Sequence, residues 1–156
     1  MATPDVPRGA VEIRAMRRDD VDEVAIIERD AQPNPWSRDV FLEEMTRAWA
    51  HIDVLREEPG GPIAAFLNYW IVGDEVHVLN VATHPDHRRR GHAARLLDHV
   101  TAVARAQGCR FLTLEVRRKN RPALRLYRAH GYRPVGMRPR YYDDGEDAVI
   151  MLQELA

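Results

Sequence analysis

The chain has 156 residues, 45% of them hydrophobic, with 23 Lys+Arg against 24 Asp+Glu and a formal net charge of -1. That length suits a single domain burying about 68–70% of its unfolded surface, and the charge balance excludes wholesale attraction to a polyanion, so nucleic-acid binding is not expected. No apolar run approaches the roughly 18 residues of a membrane span, no charged-then-apolar leader opens the chain, and the single Cys109 cannot close an internal disulfide, so a soluble protein of the reducing cytoplasm is expected.

Residues 1–9, MATPDVPRG, carry two prolines and little that packs, which predicts a loose leader ahead of one domain over 10–156. Val11 and Ile13 alternate with polar neighbours as in a strand. Asp19 or Asp20 then caps a helix whose Val21, Val24, Ala25 and Glu28 keep helical spacing, until QPNPWS breaks it. Ser37 is the expected N-cap of a second helix reaching about Ala48. Strands are predicted near 50–57, 63–72 and 75–83, separated by EPGGP and VGD, both hairpin punctuation. After the loop THPDHRRRG, Ala93, Leu96, Leu97, Val100, Val103 and Ala104 trace one buried helical face, closed by Gly108. CRFLTLEV is nearly continuous in apolar character, as a central strand is, and is expected to pair beside the strand before the helix. Asn120 and Pro122 open a last helix ended by Gly131, and two strands around the DDG turn at 143–145 complete the chain. The order predicts an α/β (α+β) domain, a mixed sheet with helices on both faces.

The loop HRRRGHAA puts Arg88, Arg89 and Arg90 in front of a helix beginning Gly91, His92, Ala93. A solvated charge run is one reading. Cations oppose the dipole at a helix N-terminus, however, and the free N–H groups there favour a bound anion, with Gly91 allowing close approach to the backbone. The chain contains neither G-x-x-x-x-G-K-[ST] nor G-x-G-x-x-G.

The spacing Arg88-x-x-Gly91-x-Ala93 resembles the coenzyme A pyrophosphate loop of the Gcn5-related N-acetyltransferase (GNAT) superfamily, and the order of elements over residues 10–155 is that superfamily's order. Within it, LNVATHPDHRRRGHAARLL, LEVRRKNRPALRLYRAHGY, RYYDDGEDAVIM and NPWS are similar to the bacterial ribosomal-protein alanine N-acetyltransferases. The resemblance implies a central, mostly antiparallel seven-stranded sheet with one splayed pair of parallel strands. It implies acetyl-CoA as co-substrate, held by the backbone of Asn80, Val81 and Ala82 and by Arg88, Arg89, Arg90, Gly91, His92 and Ala93. Asn120 and Tyr127 are further coenzyme contacts, Asn120 also being a natural helix cap.

For catalysis, the resemblance assigns Glu115 as base and Tyr127 as the acid that protonates the leaving thiolate. From pattern alone, Glu115 could equally pair with Arg117 or Arg125, and Tyr127 could be core. Partial burial is expected to raise the Glu115 pKa towards neutrality. The tandem Tyr141-Tyr142 resembles the hairpin with which N-terminal acetyltransferases hold a peptide, with Trp36 walling the slot; ordinary edge-strand aromatics are the plainer alternative. The acceptor implied is a protein N-terminus, the alanine of small-subunit ribosomal protein S18. An α-amino group suits a single carboxylate base better than lysine, whose deprotonation costs roughly 3.4 kcal/mol more. Acetylation of lysines or small amines, and non-catalytic acyl-CoA binding, are the rival readings. No metal is expected, since His84-x-x-His87 has no second cluster, and Cys109 reads as a small core residue.

Overall fold

The computed structural model describes residues 10–155, so the leader expected over 1–9 lies outside the described residues. The elements follow the expected order: β1 (Glu12–Ala15), α1 (Val21–Ala31), α2 (Arg38–Glu44), β2 (Ala50–Arg56), β3 (Ile63–Val72), β4 (Glu75–Thr83), α3 (His92–Ala106), β5 (Phe111–Arg117), α4 (Arg121–Ala129), β6 (Arg133–Arg138) and β7 (Ala148–Glu154). The strands form one seven-stranded sheet in the order β1-β2-β3-β4-β5-β7-β6. β4 and β5 are parallel neighbours, as the intervening helix requires. β1 with β2, β5 with β7 and β6 with β7 are antiparallel. The β4–β5 register covers Glu75↔Phe111 to Val78↔Leu114 and stops there, whereas β5 stays registered with β7 out to Arg117↔Ala148.

The chain divides into two compact units. The first takes the described residues up to Tyr69 together with Asn80–Leu96. Its core gathers Val21, Val24 and Ile27 of α1, Phe41 of α2, Ile52 and Val54 of β2, Ile63 and Phe66 of β3, and Ala82. Phe41 meets Phe66 edge-on at 5.7 Å between ring centroids, an arrangement that adds to plain area burial. The second unit takes Trp70–Leu79 and the chain from Leu97 onward. Its buried residues include Val76 and Val78 of β4, Leu97, Val100 and Ala104 of α3, Leu112, Leu114 and Val116 of β5, and Met151 of β7. Cys109 is buried, and desolvation followed by the nearby Asp74 charge pushes its thiol up, as befits a packed residue rather than a nucleophile.

Three local expectations are corrected. α2 ends at Glu44, not near Ala48, where the Thr46 hydroxyl donates to the Glu43 carbonyl at 2.7 Å and draws the backbone into a turn. Asp20 precedes α1 without capping it through its side chain. Its buried carboxylate instead accepts from the Arg17 amide at 2.7 Å, from Arg14 at 2.6 and 3.1 Å, and from Arg56 at 3.1 Å. β5 is not buried on both faces: Leu112, Leu114 and Val116 alternate with half-buried Phe111, Thr113, Glu115 and Arg117. Glu115 lies with Phe111, Thr113 and Arg117 on the half-buried face of the strand.

Candidate active site

In the first unit, the chain leaves β4, makes a 3-10 turn over Pro85–His87 and enters α3 at His92. Arg89 (φ 64°) and Gly91 (φ 77°) are both left-handed, so the loop turns sharply twice before the helix begins. The first backbone bond of the helix is Arg95 N–H to the Gly91 carbonyl. The preceding amides thus keep their hydrogens for a ligand. Arg88 pairs with Asp30 at 2.8 Å, with both side chains about half exposed, an ion pair of little net worth and readily exchanged. Arg89 is exposed and has no ionic partner among the described residues. Arg90 and His92 are both turned onto Glu57, Arg90 at 2.7 and 2.8 Å and His92 at 2.9 Å. His87 reaches the same carboxylate at 2.8 Å. Glu57 lies between β2 and β3, some thirty positions away in the chain, and nothing in the sequence marks it.

The same unit holds a second buried carboxylate. Glu28 of α1 accepts from the Asn80 side chain at 2.6 Å and from the Trp36 amide at 3.1 Å. Gln32 donates to Asn80 Oδ1 at 3.0 Å. Burial raises the Glu28 pKa against these two donors, and the carboxylate ties the Pro-Trp-Ser segment to β4. Trp36 is half-buried and packs on Phe41 at 5.4 Å. Val81 is half-buried and Ala82 buried.

In the second unit, Glu115 meets neither Arg117 nor Arg125. His77 of β4 lies 2.6 Å from Glu115 Oε2, and Arg138 of β6 lies 3.6 Å from Oε1. The hydrogen bond with His77 holds the carboxyl below its usual range, outweighing burial, with the His77 and Arg138 charges adding to the effect. The expected upward shift is thus reversed, because a close donor stabilises the ionised form more than desolvation penalises it. Trp70 meets the His77 ring edge-on at 6.1 Å. Tyr127 is half-buried on α4 against Tyr132, at 5.9 Å between rings, and desolvation pushes its phenol up to about 12. Asn120 caps α4, its Oδ1 accepting from the Ala123 amide at 3.2 Å.

Tyr141 and Tyr142 do not lie on an edge strand; both sit in the connection from β6 to β7. Their rings meet edge-on at 5.1 Å, with Tyr141 49% exposed. The Arg117 guanidinium stacks 4.1 Å from the centre of Tyr142 and is anchored to Asp144 at 2.8 Å and Glu146 at 3.1 Å. Burial pushes the Tyr142 phenol up to about 12, partly opposed by Arg117, and the Tyr141, Glu115 and Tyr127 groups are near enough to add to the rise. Glu115, Tyr127 and Tyr142 thus lie in the same unit, the first two near enough to the third to act on its charge. Among the described residues, no group of three or more His, Cys, Asp or Glu is placed to hold a metal ion, and no helix is long and apolar enough to cross a membrane.

The chain is similar to known proteins over most of its length. The family described as the acetyltransferase (GNAT) family matches residues 21–132. A Bacillus subtilis (strain 168) protein named as a candidate [ribosomal protein bS18]-alanine N-acetyltransferase is 36% identical over 141 residues, covering 89% of this chain and 92% of its own. The crystal structure of the ribosomal-protein-S18-alanine N-acetyltransferase from Escherichia coli superposes with a TM-score of 0.84 at 32% identity, covering 94% of both chains. At the level of fold alone, so does a Thermoplasma acidophilum N-acetyltransferase in complex with coenzyme A, with a TM-score of 0.76 at 16% identity, covering 94% of this chain and 99% of that one.

Proposed function

We propose that this chain, which belongs to the acetyltransferase (GNAT) family and is an N-acetyltransferase, transfers acetyl from acetyl-CoA to the α-amino group of a protein, the N-terminal alanine of ribosomal protein bS18. The coenzyme's pyrophosphate sits against the amides of residues 89–94, with Arg88 and Arg89 supplying charge. The pantetheine arm runs along the backbone of Asn80, Val81 and Ala82. The family resemblance assigns further coenzyme contacts to Asn120, already the cap of α4, and to Tyr127.

The amine nitrogen attacks the thioester carbonyl carbon; the new C–N bond forms as C–S breaks. Glu115 accepts the proton shed by the amine, directly or through one water, the Tyr127 phenol gives its proton to the departing thiolate, and exchange with solvent returns a proton to Tyr127 and removes one from Glu115. A backbone N–H of Val81 or Ala82 steadies the carbonyl oxygen as negative charge gathers on it. Tyr141 and Tyr142 hold the first residues of the acceptor.

The single observation that carries this reading is Glu115 on the half-buried face of β5, held ionised by the 2.6 Å contact with His77 and within electrostatic reach of Tyr142. A carboxylate kept this acidic is a weak base. It suits an α-amine, which already sheds its proton near pH 7.7–8.0, and is poorly matched to a lysine near 10.4. The decisive assay offers a peptide beginning Ala-Arg beside peptides with only internal lysines and beside free polyamines. Turnover confined to the first supports the proposal; preference for lysine or polyamine overturns it. In parallel, Glu115→Gln is expected to lose most turnover while acetyl-CoA affinity persists, and coenzyme binding without turnover on any amine would mark a non-catalytic binder.

A further inference from the structure

We propose that Glu57 is a positioning residue for the coenzyme: by drawing Arg90, His87 and His92 inward, it holds the loop so that backbone amides, and not the Arg90 guanidinium, face the pyrophosphate. The inference rests on the reading of residues 88–93 as the coenzyme's phosphate loop.

Three donors converge on one oxygen. Arg90 Nη1 lies 2.7 Å, His87 Nδ1 2.8 Å and His92 Nε2 2.9 Å from Glu57 Oε1, and Arg90 Nη1 also reaches Oε2 at 2.8 Å. The Arg90 Nε is buried without a hydrogen-bond partner, as expected of a guanidinium pulled in towards one carboxylate rather than offered to solvent. The His92 side chain has no exposed surface. Its Nε2 is spent on Glu57 and its Nδ1 faces Arg95 Nη1 at 3.4 Å, so both ring nitrogens are engaged.

The residues so tied are 87, 90 and 92, and the two left-handed residues, Arg89 and Gly91, fall between them. Left-handed backbone at a residue with a side chain, as at Arg89, persists only where its surroundings over-determine it, and the Glu57 knot is such a surrounding. Every donor in the knot is a side chain. A carboxylate acting as a stand-in for the phosphate would take the amides of the loop. Glu57 takes none, so it braces the site from behind without filling it.

The test compares acetyl-CoA with acetylpantetheine, which lacks the pyrophosphate, as acetyl donors for the wild type, Glu57→Gln, Arg90→Gln and the double variant. In Glu57→Gln the KM for acetyl-CoA is expected to rise about tenfold or more with kcat little changed, while kcat/KM for acetylpantetheine stays at the wild-type value. A general structural defect would lower both donors alike, and that result overturns the proposal. Arg90→Gln is expected to match Glu57→Gln, with the double variant no worse than either. Should Glu57→Gln fail to fold, Arg90→Gln decides alone: an unchanged KM for acetyl-CoA, or an equal loss with both donors, overturns the proposal. Additive losses in the double variant would place Arg90 on the phosphates and overturn it as well. A wild type that uses both donors equally well removes the phosphate reading of the loop itself; a wild type that prefers acetyl-CoA, with the preference undiminished in Glu57→Gln, removes only the role of Glu57.

Discussion

Replacing Glu57 by Gln makes a prediction that can be read without any substrate. Burial by itself would raise this carboxyl, but the hydrogen bonds from His92, His87 and Arg90 outweigh it and bring the pKa from 4.5 down to about 2. At about 1.4 kcal/mol per pH unit, that gap amounts to about 3 kcal/mol of folding stability, and about 2 kcal/mol once solvent access to a side chain still 19% exposed is counted. A carboxyl whose folded pKa is depressed stabilises the fold fully above its unfolded value and loses that contribution as pH falls through the folded one. The wild type should therefore exceed Glu57→Gln by about 2 kcal/mol in urea unfolding, followed by circular dichroism, near pH 7. The difference should shrink below about pH 4.5 and close towards about pH 2, where Glu57 is protonated and resembles glutamine. A gap as large at about pH 3 as at about pH 7, or no gap at neutrality, would refute the assignment of Glu57 as the charged centre of the knot.

Other substitutions probe the second unit and the buried polar pairs. His77→Leu removes the main stabiliser of ionised Glu115, so the Glu115 carboxyl resonance should titrate at higher pH in the variant; an unmoved titration separates His77 from Glu115. Tyr127→Phe keeps the ring but takes away a phenol that stays protonated up to about 12, and kcat should fall about a hundredfold or more, whereas unchanged kcat would leave Tyr127 a packing residue. Tyr69→Phe deletes the 2.7 Å hydrogen bond to buried Asp53 and should cost about 1–3 kcal/mol in the denaturation midpoint; an unaltered midpoint would mean that bond contributes nothing net. Tyr142→Ala should raise the KM for an Ala-Arg peptide and leave that for acetyl-CoA alone, and an unchanged peptide KM would end the reading of this connection as a peptide slot.

Much of the fold was legible because local chemistry and global packing agree. The apolar spacing of α3 survives as buried Leu96, Leu97, Val100 and Ala104, the Asn120 and Ser37 caps form as their side chains allow, and the strand after α3 pairs parallel to the strand before it. The candidate site was legible as residue identities: the loop glycine, the carboxylate on β5, the tyrosine on α4. Its electrostatics were not. Glu115 looked like a carboxyl whose pKa burial would raise, and the fold lowers it, because His77 is 38 positions away in sequence and adjacent in space. The sequence singled out Arg88 by its spacing from Gly91 and left Arg89 and Arg90 alike. In the structure Arg88 meets Asp30, Arg89 stands free among the described residues, and Arg90 is bound to Glu57.

The sequence by itself determined where the chain turns helical or extended, which backbone could cradle an anion, and which side chains could carry protons, since these follow from periodicity, capping and residue type within a few positions. Only the tertiary structure decided the ionisation and orientation of those side chains. A pKa or a rotamer is set by whatever lies within a few ångströms, and here those neighbours, Glu57 for the loop, His77 and Arg138 for Glu115, Glu28 for Asn80, arrive from parts of the chain 23 to 52 residues away.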